Sequence, residues 1–410
     1  MAKDPSVAPK ERVNIVYRTT IGDVKEDVEL PLKTLILGDF TGKVDERPLE
    51  EREPINIDKD NFNEVMKAQG ITLNFSVPNK LSDNPEDELD VNLKIEAIND
   101  LGPEAIARQI PELQQLLELR DALRALKGPL ANVPEFRKKI QQLIKTKPPG
   151  RNCWRKSASR NREGHMSANK KQREAATTQV EQAPSLLEEI VQATRLEPAD
   201  EAYSLTKKGV EALVSQLLAP GAAEARVSKA VVDDMIAAID RKLSAQLDAV
   251  LHNEQFQKIE STWRSLKFIV ERTDFRENVR IEIINVTKED LLTDFEDAPE
   301  IPKSGLYKTV YTSEYGQFGG KPYGVLVGNY EFDAGPQDIK LLQYVSAVAG
   351  MAHAPFFAAV SPKFFNLEDY NNLPNLKDIK SILEGPQYSK WQGFRESEDS
   401  RYVGLTMPRF

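Results

Sequence analysis

A stretch of 36 residues constrains this chain more than any other feature. Residues 148–183, PPGRNCWRKSASRNREGHMSANKKQREAATTQVEQA, are polar and carry no hydrophobic period. Such a segment has too little apolar surface to offset the entropy of ordering it. It reads as a disordered linker, about 33 Å end to end if it behaves as a flexible coil. Two hydrophobically patterned blocks remain, residues 1–147 and 184–410. A chain of 410 residues is long enough for two or three domains at roughly 150 residues each.

Charge marks the same segment. Residues 145–173 hold ten Lys and Arg against one acid, Glu163, so a chain of net charge −9 concentrates +9 there and carries −18 elsewhere. An acidic body repels nucleic acid and anionic membrane. The expected role of the basic stretch is a solvated tether; the alternative is a nucleic-acid-binding segment at 145–173. No apolar run approaches the roughly 20 residues of a membrane span. The N-terminus, MAKDPSVAPKER, has no apolar core of a secretory signal, so a cytoplasmic location without membrane insertion is expected. Cys153 is the only cysteine, which excludes an internal disulfide framework and a multi-cysteine metal site.

The junction has a second reading, at the level of its codons. Arg162-Glu163-Gly164-His165-Met166 can be encoded by a purine-rich, GGAGG-like stretch followed by a start codon, as at a ribosome-binding site. Arg151–Lys156 (RNCWRK), read one base earlier, can encode EKLLEK, which continues the preceding helix. Two neighbouring genes joined by a frameshift near residue 148 would leave this trace.

In the first block, residues 13–17, Val28–Leu37 and Ile71–Val77 read as strands, the second interrupted by Pro31. Residues 91–98 (VNLKIEAI) alternate strictly, with Val91, Leu93, Ile95 and Ala97 on one face. Helices follow at Pro103–Gln109, from Pro111 onward, and at Pro134–Ile144. The middle helix places Leu113, Leu116, Leu117, Leu119, Leu123 and Leu126 around about half its circumference, wider than one packing partner needs. Gly128-Pro129 is expected to stop it. The leucines fit either a helix buried in its own domain or one shared with a second subunit.

The second block opens on Ser185-Leu-Leu-Glu188, a capping-box pattern. Leu186, Leu187, Ile190, Val191 and Thr194 form a narrow stripe on a helix too short to persist undocked. Its stripe fits docking on its own domain or in a partner's groove. Amphipathic helices are predicted at 229–251 and at Phe256–Val270, the latter with Ile259, Trp263, Leu266 and Ile269 inward. Strands follow at Arg280–Val286, Gly324–Val327 and Phe356–Val360, with a helix, Pro336–Ala352, between the last two. The fold class is therefore mixed α/β (α+β): a small α/β part with C-terminal helices, then a helical segment leading into an α/β part that ends, truncated, without a closing element after Thr406.

No catalytic constellation emerges. Gly316–Pro322 (GQFGGKP) fails as a phosphate loop, because Tyr315 occupies the first glycine position and Pro322 the hydroxyl position. Its glycines suit a turn. His252-Asn253-Glu254 reads as a helix cap, and His353 as a core or boundary residue. Carboxylates such as Glu296-Asp297 and Glu396–Asp399 read as loop residues, and no acid/base pair stands out. No cofactor, metal or enzymatic activity is expected.

Longer blocks carry a family resemblance. SVAPKERVNI, VELPLKTLILGDF and PELQQLLELRDALRALKGPL resemble the small subunit (TssB, or VipA) of the type VI secretion contractile sheath. From Met166 onward, DEAYSLTKKGVEAL, ESTWRSLKFIVERTDFRENVRIEIINVTKEDLLTDFEDAPE, SGLYKTVYTSEYGQFGGKPYG and GPQDIKLLQYVSAVAGMAHAPF resemble the N-terminal half of the large subunit (TssC, or VipB). The resemblance implies a structural part that polymerises with other sheath subunits around an inner tube of Hcp, on a baseplate, and that the AAA+ ATPase ClpV disassembles. It implies a ClpV-gripped helix at Ser185–Arg195, with Leu186, Leu187, Ile190, Val191, Thr194 and Arg195. It implies a small–large contact through Glu112–Leu126, and an inter-protomer strand at Val13, Ile15 and Tyr17. The family's large subunit continues well past the position of Phe410. The resemblance thus leads to the expectation that the small–large contact forms within this chain, while the N-terminal strand keeps an unpaired edge and no sheath is built.

Overall fold

The computed structural model describes residues 16–21, 24–82, 84, 86–132, 208–210, 229–315, 317 and 319–408. In the first block, strands β1 (Val16–Ile21) and β2 (Val24–Glu29) pair antiparallel, Ile21 opposite Val24. Pro31, with no N–H to give a ladder, separates β2 from β3 (Leu32–Gly38). Then come β4 (Ile55–Ile57), α1 (Phe62–Ala68), and the two-stranded sheet of β5 (Ile71–Pro78) and β6 (Glu88–Ile95). The alternation in β6 is realised, with Leu89, Val91, Leu93 and Ile95 all buried. Helices α2 (Pro103–Gln109) and α3 (Pro111–Asn132) follow.

The second block supplies α4 (Lys229–Leu251), α5 (Glu254–Arg272), β7 (Val279–Asn285), α6 (Lys288–Asp297), β8 (Tyr323–Phe332), α7 (Pro336–Ala352), β9 (Phe356–Val360), α8 (Ser389–Glu396) and β10 (Val403–Thr406). Asn253 caps α5, its side chain accepting from the N–H groups of Gln255 and Phe256. Thr287 and Asp290 form a reciprocal capping box on α6.

The six-stranded sheet draws on both blocks. Its order is β10-β9-β8-β3-β7-β4. Strand β3 lies between β7 and β8, parallel to both, with Leu35 opposite Glu282 on one side and Leu326 on the other. Strand β4 is an antiparallel edge. Helix α7 makes the crossover between parallel strands β8 and β9. On one face, Leu35 and Leu37 join a core with Ile284 and Leu326, and with Ile339, Leu342 and Val345 of α7. On the other, Asn329 of β8 donates to Thr262 O of α5 at 3.1 Å, and Trp263 is fully buried. Each buried Leu or Ile contributes about 1.5–3 kcal/mol relative to an exposed one.

Two compact units result: residues 1–77, 90–105 and 250–410 form one, residues 78–89 and 106–249 the other. Both draw on both blocks.

Several sequence expectations need correction. Helix α3 does not stop at Gly128-Pro129 but runs to Asn132. Leu126 is fully buried and Lys127 is ion-paired to Asp233, so tertiary contact at that turn outweighs the helix-breaking pair. Strand β10, which the sequence reading did not anticipate, pairs parallel with β9 and ends at Thr406. Strand β8 runs on to Phe332. On α5 it is Val270 that is buried, while Ile269 is half-buried. Glu296 and Asp297 are helical, in α6. His353 is exposed, in the left-handed region at φ 52° as the cap of α7, with Nδ1 3.2 Å from Tyr402 Oη. The glycine-rich segment is a turn, with Gly319 at φ 81° and Gly320 N donating to Gln317 O. The helix predicted at Pro134–Ile144, the linker 148–183 and Cys153 lie outside the described residues.

Candidate functional site: the joint between the blocks

The sheet joint is built on β3. Lys33, Leu35 and Leu37 share one face of the strand, on which Leu35 and Leu37 join the core with α7, while Thr34 and Ile36 lie on the other. Lys33 is the exception on an apolar face, and it is only 5% exposed. Its Nζ lies 2.6 Å from Glu314 Oε1, 3.1 Å from Glu282 Oε1 and 4.2 Å from the centre of the Tyr323 ring. Tyr323 donates its hydroxyl to Glu282 Oε2 at 2.5 Å. Burial, that hydrogen bond and the nearby carboxylates push the Tyr323 phenol far above its ordinary range, so it stays a donor. Glu314 also accepts from Lys321 N at 2.8 Å.

A second buried cation from the first block, Arg52, ties the ends of the strands together. Its guanidinium donates to Arg47 O at 3.0 Å, Asp45 O at 2.8 Å, Asn285 O at 3.1 Å and Asp290 Oδ2 at 2.8 Å. Asp290 is the carboxylate of the α6 capping box, so Arg52 fastens a loop of the first block to a helix start of the second. Arg47 beside Asp45 holds that carboxyl at about 2, mainly through their hydrogen bond. Further main-chain ties cross between the blocks. Trp263 Nε1 donates to Phe40 O at 3.0 Å, Phe40 N to Asn285 Oδ1 at 2.8 Å, and Val286 N to Gly38 O at 2.9 Å. A Cβ on Gly305 would sit 2.9 Å from Leu49 Cβ and from Glu50 N, so only glycine allows the first block to seat there. Beside it, burial raises the Asp294 carboxyl, although it accepts the N–H groups of Gly305 and Leu306.

The helix joint lies in the other unit. Arg120 Nε is 2.6 Å from Asp240 Oδ1, a charge contact whose N–H is not aligned as a hydrogen bond. Lys127 Nζ is 2.6 Å from Asp233 Oδ1. Seven residues forward on α3 match seven residues back on α4, so the two helices run antiparallel. Lys208 pairs with Glu118 at 2.9 Å, and a Cβ on Gly209 would fall 2.5 Å from Ala122 O. Gln246 of α4 is fully buried; its amide accepts from Lys80 N at 2.6 Å and donates to Pro78 O at 3.2 Å.

Of the six leucines singled out on α3, Leu113, Leu123 and Leu126 are fully buried, while Leu116, Leu117 and Leu119 are half-buried. Tyr17 lies in β1, which pairs only with β2 among the described residues; Val13 and Ile15 lie outside them. So do Leu186, Leu187, Ile190, Val191, Thr194 and Arg195. Sequence reasoning missed Lys33, Arg52 and Gln246. A lysine inside the apolar run Leu32–Leu37 was a usable signal for the first. Arg52 sits among loop charges and gave none. Among the described residues no cluster of His, Cys, Asp and Glu could hold a metal ion, and no helix is long and apolar enough to cross a membrane.

Comparison with known proteins fits the two blocks. Residues 5–152 match the family model described as "Type VI secretion system, VipA, VC_A0107 or Hcp2". Residues 233–410 match VipB, described as "EvpB/VC_A0108, tail sheath N-terminal domain". The chain is 42% identical over 182 residues to the type VI secretion system sheath protein TssC1 of Pseudomonas aeruginosa, which covers 44% of this chain and 36% of the relative. It is 33% identical over 117 residues to the sheath protein TssB1 of the same organism, covering 28% of this chain and 67% of the relative. It thus spans about a third of one relative and two thirds of the other. Among solved structures, a chain of the "VipA-N2/VipB contracted sheath of type VI secretion system" is 48% identical, over 30% of this chain and 98% of that one, with a TM-score of 0.24. This chain belongs to the type VI secretion sheath proteins, joining a TssB-type block and the N-terminal domain of a TssC-type block in one polypeptide.

Proposed function

We propose that this chain is a structural component of the type VI contractile sheath, in which the small- and large-subunit parts act as one joined building block. The observation that carries the reading is β3: a strand of the TssB-type block stands inside the sheet of the TssC-type block. A buried, main-chain-bonded joint suits a part that transmits force. The chain works by assembly, without cofactor or covalent chemistry, in the cytoplasm. Its partners are other sheath subunits, the inner tube protein Hcp, the baseplate and the ATPase ClpV.

Four finer assignments go with this reading. The leucine-rich helix α3 is the helical part of the small–large contact. The strand containing Tyr17 pairs between protomers. Leu186, Leu187, Ile190, Val191, Thr194 and Arg195 form the helix that ClpV grips, and residues 148–183 tether the blocks and raise their effective concentration. The DNA reading frame across residues 145–170 tests the gene-joining origin of that tether.

The test of function is incorporation. Gold-labelled full-length chain, mixed with separate TssB and TssC subunits, should appear along sheath tubes in electron micrographs. Tubes that never carry label would overturn the proposal. For the ClpV helix, the full chain should bind the ClpV N-terminal domain, and Leu187→Asp should abolish binding; unchanged binding removes that assignment.

A further inference from the structure

The apolar contacts of β3 do not by themselves choose a register. Its neighbours Ile281, Ile283, Ile284, Leu326 and Val327 are all buried aliphatics, and a strand reading Leu-Ile-Leu can slide along such a surface in steps of two with the same faces turned inward. What differs from slot to slot is charge, together with Pro31, whose missing N–H opposes the slip that draws it into the ladder. The second block presents two carboxylates, Glu282 and Glu314, and a phenol, Tyr323, around one position, and Lys33 fills it. The side chains of Glu282 and Glu314 are 15% and 20% exposed, so water does little to screen them.

We propose that the slot between β7 and β8 is a charge-keyed acceptor for one strand: it takes a parallel strand bearing a cation two residues ahead of a buried leucine pair, and Lys33 is that key. A slip of two residues in one direction moves Lys33 into the place of Leu35, among Leu37, Ile284 and Leu326, and leaves both carboxylates without a cation. A slip of two in the other direction drives Asp39 into the place of Leu37. Both bury an unpaired charge. A slip of one turns Lys33 to the opposite face of the sheet. Buried ion pairs commonly add little stability over apolar residues of the same size. The network's role here is therefore to select the partner strand and its register, and Lys33 is a positioning residue.

Disulfide trapping in the full chain reads the register directly, with Cys153→Ser as background and Pro31→Ala added so that no missing N–H opposes the slip. Val279 stands opposite Leu32 in the native ladder, and a slip that brings residue 33 into the place of Leu35 brings Leu30 opposite it. With Lys33 present, L32C/V279C should cross-link and L30C/V279C should not. Lys33→Met should remain folded and give both cross-links, the slipped one rising from undetected to a comparable yield. Lys33→Glu should lose the native cross-link, and K33E/E314K should restore it. A Lys33→Met chain that keeps only the native cross-link would overturn the proposal. If Lys33→Met does not fold, the charge-swapped pair decides: recovery of the native cross-link supports the key, and failure to recover it refutes it.

Discussion

The same two blocks are joined twice, in different ways. In the sheet joint, β3 is bonded through its main chain on both sides, Lys33 and Leu35–Gly38 are buried, and the cations Lys33 and Arg52 sit against carboxylates in a nearly dry setting. In the helix joint, α3 and α4 meet through apolar faces flanked by ion pairs whose partners are about 27–44% exposed. Exposed ion pairs typically contribute 0–1 kcal/mol, whereas removing one member of a buried pair costs about 3–5 kcal/mol. The difference teaches that similar charge pairs have unequal work. At the helix joint they trim an interface that hydrophobic burial makes; at the sheet joint they are part of its specification.

Substitutions can break this contrast, beginning with the largest effect. Leu35→Asp places an unpaired charge in the centre of the shared core and should destabilise the chain by more than about 4 kcal/mol, abolishing the cooperative urea transition. Arg52→Ala should cost about 3–5 kcal/mol, because Asp290 and three carbonyls lose a buried donor; the urea midpoint would report it. Leu123→Ala, on the fully buried stripe of α3, should cost about 2–5 kcal/mol and act mainly on the helix joint, so protection from hydrogen exchange should fall in α3 and α4 before it falls in β3. Lys127→Ala should shift the midpoint by no more than about 1 kcal/mol, and less in high salt. An effect of Lys127→Ala as large as that of Arg52→Ala would erase the distinction between the joints.

The smallest expected effect concerns acid. The Asp45 carboxyl is held at about 2 in the folded chain, below its ordinary value of 3.8. A depressed folded value means stability that is fully present above the ordinary value and is lost as pH falls through about 4 toward 2. Asp45→Asn should flatten this part of the acid limb of stability and leave the neutral region little changed. An acid limb identical in the variant would show that Asp45 makes no contribution.

Much of this fold is legible in the sequence, because many elements obey local rules. Strict alternation located β6 and Pro111 the start of α3, and the helix read from Pro336 matches the start of α7. Local rules failed where distant contact decides. Gly128-Pro129 is a stop signal that the α4 contact overrides. Strand β3 reads correctly as a strand, but its neighbours lie more than 240 residues onward, and nothing in its own pattern names them. The buried charges were the least visible. Lys33 and Arg52 look like surface residues until the strands that enclose them are known, and the burial of Gln246 depends on the main chain of Pro78 and Lys80.

The central claim is that the TssB-type strand and the TssC-type sheet fold as one cooperative body. Native-state hydrogen exchange on the full chain tests it most directly, since amides that open together share one free energy of opening. Residues of β3, β7 and β8 should show the same highest protection and lose it together as denaturant rises. Protection of β3 that disappears while β7 and β8 stay fully protected would contradict the account.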